Sequence, residues 1–184
     1  QKYYQYAVDW GEFHKWGFRS GNYTRNADDQ CAGQTYIELY QIDPKPERIE
    51  NIIECIDNVC NNEANDDWNW IDAIQMAMPI YAQLGVLLND QKYFEKMYQM
   101  YMFSRNQHGE KGLWNPKDKL WWRDADFDPP YTEPNGEDCY WSRGNGWVYM
   151  ALARVMTIMP KDGPHYKQYL KDFKAMTKAL AKVQ

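Results

Sequence analysis

The stretch DDWNWIDAIQMAMPIYAQLGVLL, residues 66–88, decides the fold class of this chain. Within it, Ile71, Ile74 and Met78 follow the three- and four-residue spacing of one face of an α-helix, and apolar residues continue to Leu88. The spacing therefore predicts a helix of about five turns rather than a strand.

Polar residues mark the start of this helix, and a proline lies within it. Asp66 and Asp67 are natural N-caps, and Pro79 predicts a kink because it cannot donate a backbone hydrogen bond. Six further helices are predicted, and no convincing run of strand-like alternation separates them. They run from Lys2 to Trp16, from Asp28 or Asp29 to just before Pro44, from Pro46 along the stripe Ile49, Ile52, Ile53, Ile56 and Val59, from Gln91 to Arg105, from Gly146 to Met159 and from Pro164 to Val183.

One long segment, His108 to Ser142, breaks the helical pattern with Gly, Pro, Asp and Trp. It is longer than the roughly 15 residues expected of a passive connection, and long ordered loops usually carry function. Leu113-Trp114 and Leu120 to Arg123 are predicted to pair as a short ribbon around Asn115-Pro116.

The alternation of short and long connections between these helices predicts stacked αα-hairpins. The predicted fold class is all-α, an (α/α)6 six-hairpin barrel. Because such a barrel needs about a dozen helices, the seven or so predicted in residues 1–184 indicate a single partial barrel domain.

Composition limits the classes of partner. The net charge is −5 and the pI is about 5.2, and basic residues are scattered along the sequence, so nucleic acid is not a predicted partner. No apolar run approaches the roughly 18 residues of a membrane span, so no membrane contact is predicted either. Nine Trp and fifteen Tyr suit two interpretations, stacking on sugar rings and ordinary core packing.

Three polar clusters lie at helix starts or in the long segment, where a hairpin barrel brings them to one rim. They span residues 26–31, 66–72 and 141–147. Asp72 is the candidate proton donor, because burial in an apolar helix raises a carboxyl pKa, whereas the helix dipole near its start opposes this. The alternative is that Asp72 only accepts backbone N–H bonds there.

Two other polar groups are candidates for the same site. One of Asp28 and Asp29 is expected to cap a helix, which leaves the other as a second site carboxylate. Arg143, flanked by Trp141 and Trp147, can bind an acidic sugar through its carboxylate, or it can form a structural ion pair at a helix start.

These clusters together resemble glycoside hydrolase family 105, the unsaturated rhamnogalacturonyl hydrolases, and more distantly the unsaturated glucuronyl hydrolases of family 88. The resemblance runs from about Tyr6 to Pro160. It is carried by WGE at Trp10 to Glu12, DDQCAGQ at Asp28 to Gln34, WIDA at Trp70 to Ala73 and WSRGNGW at Trp141 to Trp147.

The resemblance implies a glycosidase that removes a terminal 4,5-unsaturated galacturonyl residue from lyase-generated oligosaccharides such as rhamnogalacturonan disaccharide, in pectin degradation. Asp72 is then the general acid and base that hydrates the vinyl-ether double bond, with Asp29, preferred over Asp28, assisting it. The implied substrate-binding residues are Asp28, Trp70, Met76, Arg123, Trp141, Arg143 and Trp147. Several relatives carry a histidine in the loop where this chain has residues 121–124, and another where it has Asn61 to Asp67. Arg123 is a candidate replacement for one of them, which affects the expected sugar preference.

No cofactor is expected, because water is the only co-reactant, and His14, His108 and His165 lack the spacing of metal ligands. Polysaccharide breakdown favours a periplasmic or secreted location over the cytoplasm. Two alternatives keep the fold: a catalytically inert sugar-binding relative, and another six-hairpin glycosidase. A structural helical interaction domain must also explain why Trp and acidic residues concentrate at helix starts.

Overall fold

The computed structural model describes residues 2–109 and 111–183, and helices dominate it. It confirms the all-α class, since the strands in the described ranges are two residues long. The helices are α1 Lys2–Phe13, α2 Ala27–Gln30, α3 Ala32–Ile42, α4 Glu50–Cys60, α5 Ile71–Leu87, α6 Gln91–Asn106, α7 Ser142–Ile158 and α8 Tyr166–Leu180, with a 3-10 turn at Pro46–Arg48 and the strands β1 Trp114–Asn115 and β2 Leu120–Trp121.

Helix α5 is the centre of the packing. It contacts α2, α3, α6 and α7, and its residues from Ala77 to Gly85 are all buried. A helix that is apolar on every face is stable only when neighbours cover it on every side, as they do here. The stretch that decides the fold class from sequence is thus also the element that the other helices enclose.

The proline in α5 is accommodated by a side chain from α3. Pro79 has no N–H, so the carbonyl of Gln75, four residues before it, loses its normal helical partner. The side-chain amide of Gln34 donates to this carbonyl at 2.8 Å and to that of Met76 at 2.7 Å. The helix continues through Pro79 as one element, and the kink predicted from the sequence at this residue stays a prediction.

The start of α5 is set by the long segment, which corrects the prediction that Asp66 or Asp67 caps it. The helix begins at Ile71, whose N–H donates to the carbonyl of Arg123 at 2.9 Å. Asp67 instead accepts from Nη2 of Arg25 at 2.6 Å. A cap supplied by a distant backbone carbonyl leaves no local signal in the sequence.

The helix predicted to start at Asp28 or Asp29 is two helices, α2 and α3, and neither aspartate is its cap. The cap is Asn26, whose side chain accepts from the N–H of Asp28 at 2.8 Å. Counted as one, this pair brings the number of α-helices within residues 2–109 and 111–183 to the predicted seven. Cys31 separates them.

Other helix boundaries also differ from those predicted from the sequence. The first helix ends at Phe13 rather than Trp16, because Lys15 and Trp16 have left-handed φ angles of 52° and 55°. Pro46 opens the 3-10 turn before α4. Helix α7 begins at Ser142, four residues before the predicted Gly146, and α8 spans Tyr166–Leu180 rather than Pro164 to Val183.

Close packing joins the starts of α5 and α7. Gly144 is buried, and a Cβ there would lie 2.6 Å from Cδ1 of Ile71 and 2.6 Å from a ring carbon of Trp141. Only glycine allows this approach. The two helix starts that carry the WIDA and WSRGNGW motifs are therefore neighbours.

The predicted ribbon is present but shorter than expected, with Trp114 opposite Trp121 and Asn115 opposite Leu120. It is fixed to α7 by Asn145, which is 1% exposed. The Asn145 side chain accepts from the N–H of Trp121 at 2.8 Å and donates to its carbonyl at 2.9 Å. No helix within the described ranges is long and apolar enough to cross a membrane.

The Asn145 bonds predict a measurable loss of stability. Replacing Asn145 with Ala leaves the buried N–H and carbonyl of Trp121 unpaired, and the free energy of unfolding should fall by about 2–3 kcal/mol. Urea denaturation measures this. Asn135→Ala is the matched control, since Asn135 is exposed in the same segment, and it should change stability by less than about 0.5 kcal/mol. An equal effect of both changes would contradict a special role for Asn145.

Candidate functional site

Asp72 lies in the first turn of α5, where α2, α7 and the long segment meet. Its side chain is half-buried, and its Oδ1 atom is buried with no hydrogen-bond partner among the described residues. It therefore does not make the backbone contacts that the alternative interpretation required of this atom. The carboxyl borders a cavity of about 210 Å³, which is lined by Cys31, Gln34, Asp72, Gln75, Met76, Trp147 and Arg154.

Burial determines the direction in which the pKa of Asp72 is shifted. Removal from water raises the pKa of this carboxyl above its usual value and is the largest contribution. The positive charges of Arg143 and Arg123 act in the opposite direction, and the negative charge of Asp28 adds to the rise. The net rise indicates that burial outweighs the charges of the two arginines.

Helix α7 lines the same cavity with an aromatic ring, and it carries a cation whose charge acts on Asp72. Trp147 lines it, and Arg143 lies with its guanidinium 4.7 Å from the centre of the Trp141 ring. Within residues 2–109 and 111–183, Arg143 forms no ion pair, so the structural ion-pair alternative finds no partner there. Its exposed charge is free to meet an anion.

Neither Arg123 nor Trp70 lines the Asp72 cavity, and Trp70 lines a separate depression. Arg123 donates from Nε to Asp124 at 2.6 Å and lies 4.2 Å from the centre of the Phe127 ring. Trp70 pairs with Asp124 through a backbone bridge. The depression holds about 350 Å³ and is lined by Asn69, Trp70, His108, Asp124, Ala125 and Asp126.

The two aspartates of the DDQ cluster have different environments. Asp29 is buried, accepts from Oγ1 of Thr24 at 2.9 Å and pairs with Arg19 at 3.0 Å. Burial raises its pKa, but hydrogen bonds from Ser20 and Thr24 and the charge of Arg19 outweigh this, so the pKa is lowered. Asp28 is exposed, and both aspartates line a third cavity of about 520 Å³ together with Trp10 and His14.

Sequence reasoning assigned no role to four residues that line the Asp72 cavity, among them Gln34 and Arg154. Gln34 accepts from Nη1 of Arg154, whose Nη2 lies 3.0 Å from Oε1 of Glu38. A signal for Arg154 was present, because it follows Arg143 by eleven residues, three helical turns, on the face that also carries Trp147. No such signal existed for Gln34, whose partner carbonyls are set by Pro79. Among the described residues, no cluster of His, Cys, Asp or Glu could hold a metal ion.

Comparison with known proteins identifies the family. The sequence pattern of Glycosyl Hydrolase Family 88 matches residues 1–184. The chain belongs to glycosyl hydrolase family 88. The sequence resemblance had placed family 105 first and family 88 second, and family 105 specifically is not confirmed.

Relatives of this family 88 chain agree with that assignment. It is 34% identical over 122 residues to the Unsaturated 3S-rhamnoglycuronyl hydrolase of Formosa agariphila, an alignment that covers 64% of this chain and 31% of the relative. It superimposes on a glycosyl hydrolase family 88 structure from Bacteroides vulgatus with a TM-score of 0.92 at 28% identity, covering 100% of this chain and 56% of that one. A family 105 glycoside hydrolase structure from C. acetobutylicum shares the fold, with a TM-score of 0.67 at 22% identity, over 87% of this chain and 47% of that one.

The chain thus spans about half of the solved family 88 structure and under a third of the Formosa agariphila relative. The all-α hairpin fold predicted from sequence is confirmed as part of a family 88 helical barrel.

Proposed function

We propose that this chain carries the acid and base of a glycosidase that removes a terminal unsaturated uronic acid from lyase-generated oligosaccharides. The observation that carries the proposal is the Asp72 carboxyl, whose pKa burial raises and which borders a small cavity lined also by Trp147 and Arg154. Membership of family 88 and the activity named for the Formosa agariphila relative support it.

The reaction is a hydration rather than a displacement at the anomeric carbon. Protonated Asp72 gives its proton to C4 of the 4,5-double bond, and the ring oxygen stabilises the positive charge that develops at C5. The resulting carboxylate takes a proton from water as the water oxygen bonds to C5. The hemiketal formed at C5 then opens and releases the aglycone, so one water is consumed and Asp72 ends protonated.

A raised pKa suits Asp72 to this cycle, because a general acid works best when its pKa is near the working pH. Of the two candidate assisting residues, we favour Asp28 over Asp29. Asp28 is exposed, and its charge raises the pKa of Asp72, whereas Asp29 is buried against Arg19 and Thr24. In this proposal Asp29 positions the preceding segment.

The substrate is proposed from the charges around the cavity. Arg143 and Arg154 provide cations on one face of α7, with Arg154 lining the cavity and Trp147 between them in sequence. A sugar ring can stack on the Trp147 ring while its carboxylate meets the exposed Arg143 guanidinium. Arg123, Trp70, Trp141 and Met76 extend this surface, and rhamnogalacturonan and rhamnoglycuronyl oligosaccharides are the two substrate classes to compare.

The Asp72 assignment is tested by ultraviolet absorbance of the unsaturated uronate. The complete protein containing this chain should remove the absorbance of rhamnogalacturonan or rhamnoglycuronyl disaccharides, and Asp72→Asn should lower turnover roughly 10²–10⁴-fold, because the amide cannot donate an acidic proton. Asp66→Asn, an exposed carboxylate before the same helix, is the matched control and should leave turnover unchanged.

Retention of turnover by Asp72→Asn within a few-fold would exclude Asp72 as the acid. Constant absorbance with every unsaturated substrate, together with calorimetric binding, would indicate an inert sugar-binding protein instead.

The pH dependence of turnover gives a second test, in which two substitutions should shift the pH profile in opposite directions. Activity requires protonated Asp72, so it should be lost as pH rises through the pKa of Asp72. Because Arg143 lowers this pKa, Arg143→Gln should move the alkaline limb of the profile to higher pH. Because Asp28 raises it, Asp28→Asn should move the limb to lower pH. Profiles of kcat for both variants check this, and shifts in the same direction would contradict it.

A further inference from the structure

A groove on the surface of α8 is lined by lysines from two elements. It encloses about 750 Å³ and is larger than any cavity around Asp72 or the two aspartates of the DDQ cluster. All of its lysines are exposed. They are Lys171, Lys174, Lys178 and Lys182 on or just after α8, and Lys117 and Lys119 in the turn of the ribbon.

The lysines of α8 form a continuous stripe. Separations of three and four residues place Lys171, Lys174 and Lys178 on one helix face, about 4.5 to 6 Å apart along its axis, and Lys182 follows the end of the helix. In the sequence the basic residues look scattered, and only the helix gathers these into a stripe. The premise that no basic stripe exists was therefore wrong, although the prediction of no nucleic-acid partner is untested.

The positive charge of the groove is not neutralised by neighbouring acidic side chains. None of the six lysines forms an ion pair with a described residue. Asp118 is the acidic residue among the described groove-lining side chains, and it accepts from the hydroxyl of Tyr140 at 2.8 Å. Asp138 also accepts from this hydroxyl, at 3.2 Å. Six lysines against these two aspartates, on a chain of net charge −5, make this groove a local site of attraction for anions.

The floor of the groove suits a sugar chain. Leu120, Ala175 and Ala179 provide a low apolar surface between the lysines, and the half-buried Tyr140 adds a ring. Such a floor accepts the C–H faces of sugars while the lysine ammonium groups meet the anionic substituents.

The groove is connected to the candidate site through neighbouring residues of the chain. Tyr140 is followed directly by Trp141, on which Arg143 rests. Helices α7 and α8 form an antiparallel hairpin, in which Tyr149 stacks on Phe173 at 4.4 Å and bonds Thr177 at 3.0 Å. The end of α8, with Lys178 and Lys182, therefore returns towards the start of α7.

We propose that this lysine groove binds an anionic polysaccharide chain, whose carboxylate or sulfate groups pair with the lysines, and so holds the protein on acidic glycan. The choice of a glycan over other polyanions rests on the proposed function. Binding through dispersed ammonium groups is electrostatic and should weaken steeply as salt concentration rises.

The test measures binding of the complete protein to polygalacturonate, dextran sulfate, neutral dextran and duplex DNA at low salt. Wild-type protein should bind at least one of the two anionic glycans and not neutral dextran, and comparing those two separates carboxylate from sulfate recognition. The triple variant Lys171→Gln, Lys174→Gln, Lys178→Gln should lose roughly tenfold or more in affinity. The control neutralises Lys2, Lys111 and Lys161, which are exposed elsewhere, and should change affinity less than about twofold.

Two further readouts separate this inference from others. Amine-reactive labelling should modify the groove lysines in the free protein and spare them when polygalacturonate is bound. Turnover of unsaturated disaccharide should be equal in the groove variant and wild type, so a protein without turnover that still binds through these lysines would refute only the proposed function.

The inference is overturned if neither anionic glycan binds, if the control variant loses as much affinity as the groove variant, or if DNA alone binds through these lysines. It is equally overturned if the groove lysines resist labelling in the free protein, because another part of the polypeptide then covers them.

Discussion

The hydrogen bonds between the Asn145 side chain and the backbone of Trp121 hold the long segment against the barrel, and the candidate site depends on them. With Trp121 fixed to α7, the carbonyl of Arg123 lies where it can accept from Ile71, and α5 begins there. Asp72 is the next residue, and its burial follows from this meeting of loop and helices. Removing the anchor would expose the carboxyl to water, which lowers the pKa of an acid towards its ordinary value.

The geometry of the Asp72 cavity also depends on a hydrogen bond in the core. Pro79 leaves the carbonyl of Gln75 without a helical partner, and Gln34 supplies one. The same Gln34 side chain accepts from Arg154, so one amide supports both the central helix and a cation at the cavity wall. A side-chain amide that donates to one neighbour and accepts from another is held in one orientation, as a site of fixed geometry requires.

The fold class could be read from sequence because apolar spacing in residues 71–88 is a local property. Helix starts could not. The cap of α5 is the carbonyl of Arg123 from a distant segment rather than Asp66 or Asp67. The cap of α2 is Asn26 rather than Asp28 or Asp29. The clustering of Asp72, Met76 and Trp147 around one cavity could be anticipated from motifs at helix starts. Gln34 and Asn145 could not, because their partners are backbone groups that only the tertiary fold brings near.

Charge patterns show the same division between local and tertiary information. The lysines of α8 lie three or four residues apart in a segment that was predicted as a helix, so their stripe is a local property that the sequence already contains. Opposite effects of Arg143 and Asp28 on Asp72 depend instead on which side chains converge. Asp66 and Asp67 are nearer to Asp72 in the sequence than Arg143 and Asp28 are. Asp67, however, forms an ion pair with Arg25.

The most direct test of this account is the pKa of Asp72 itself. Aspartate labelled with ¹³C at the carboxyl carbon can be titrated by NMR in the complete protein, with the Asp72 signal assigned by its loss in Asp72→Asn. The account predicts a pKa above the ordinary value of 3.8, because burial outweighs the two arginines. A pKa at or below that value would contradict the claim that burial prepares Asp72 to donate a proton.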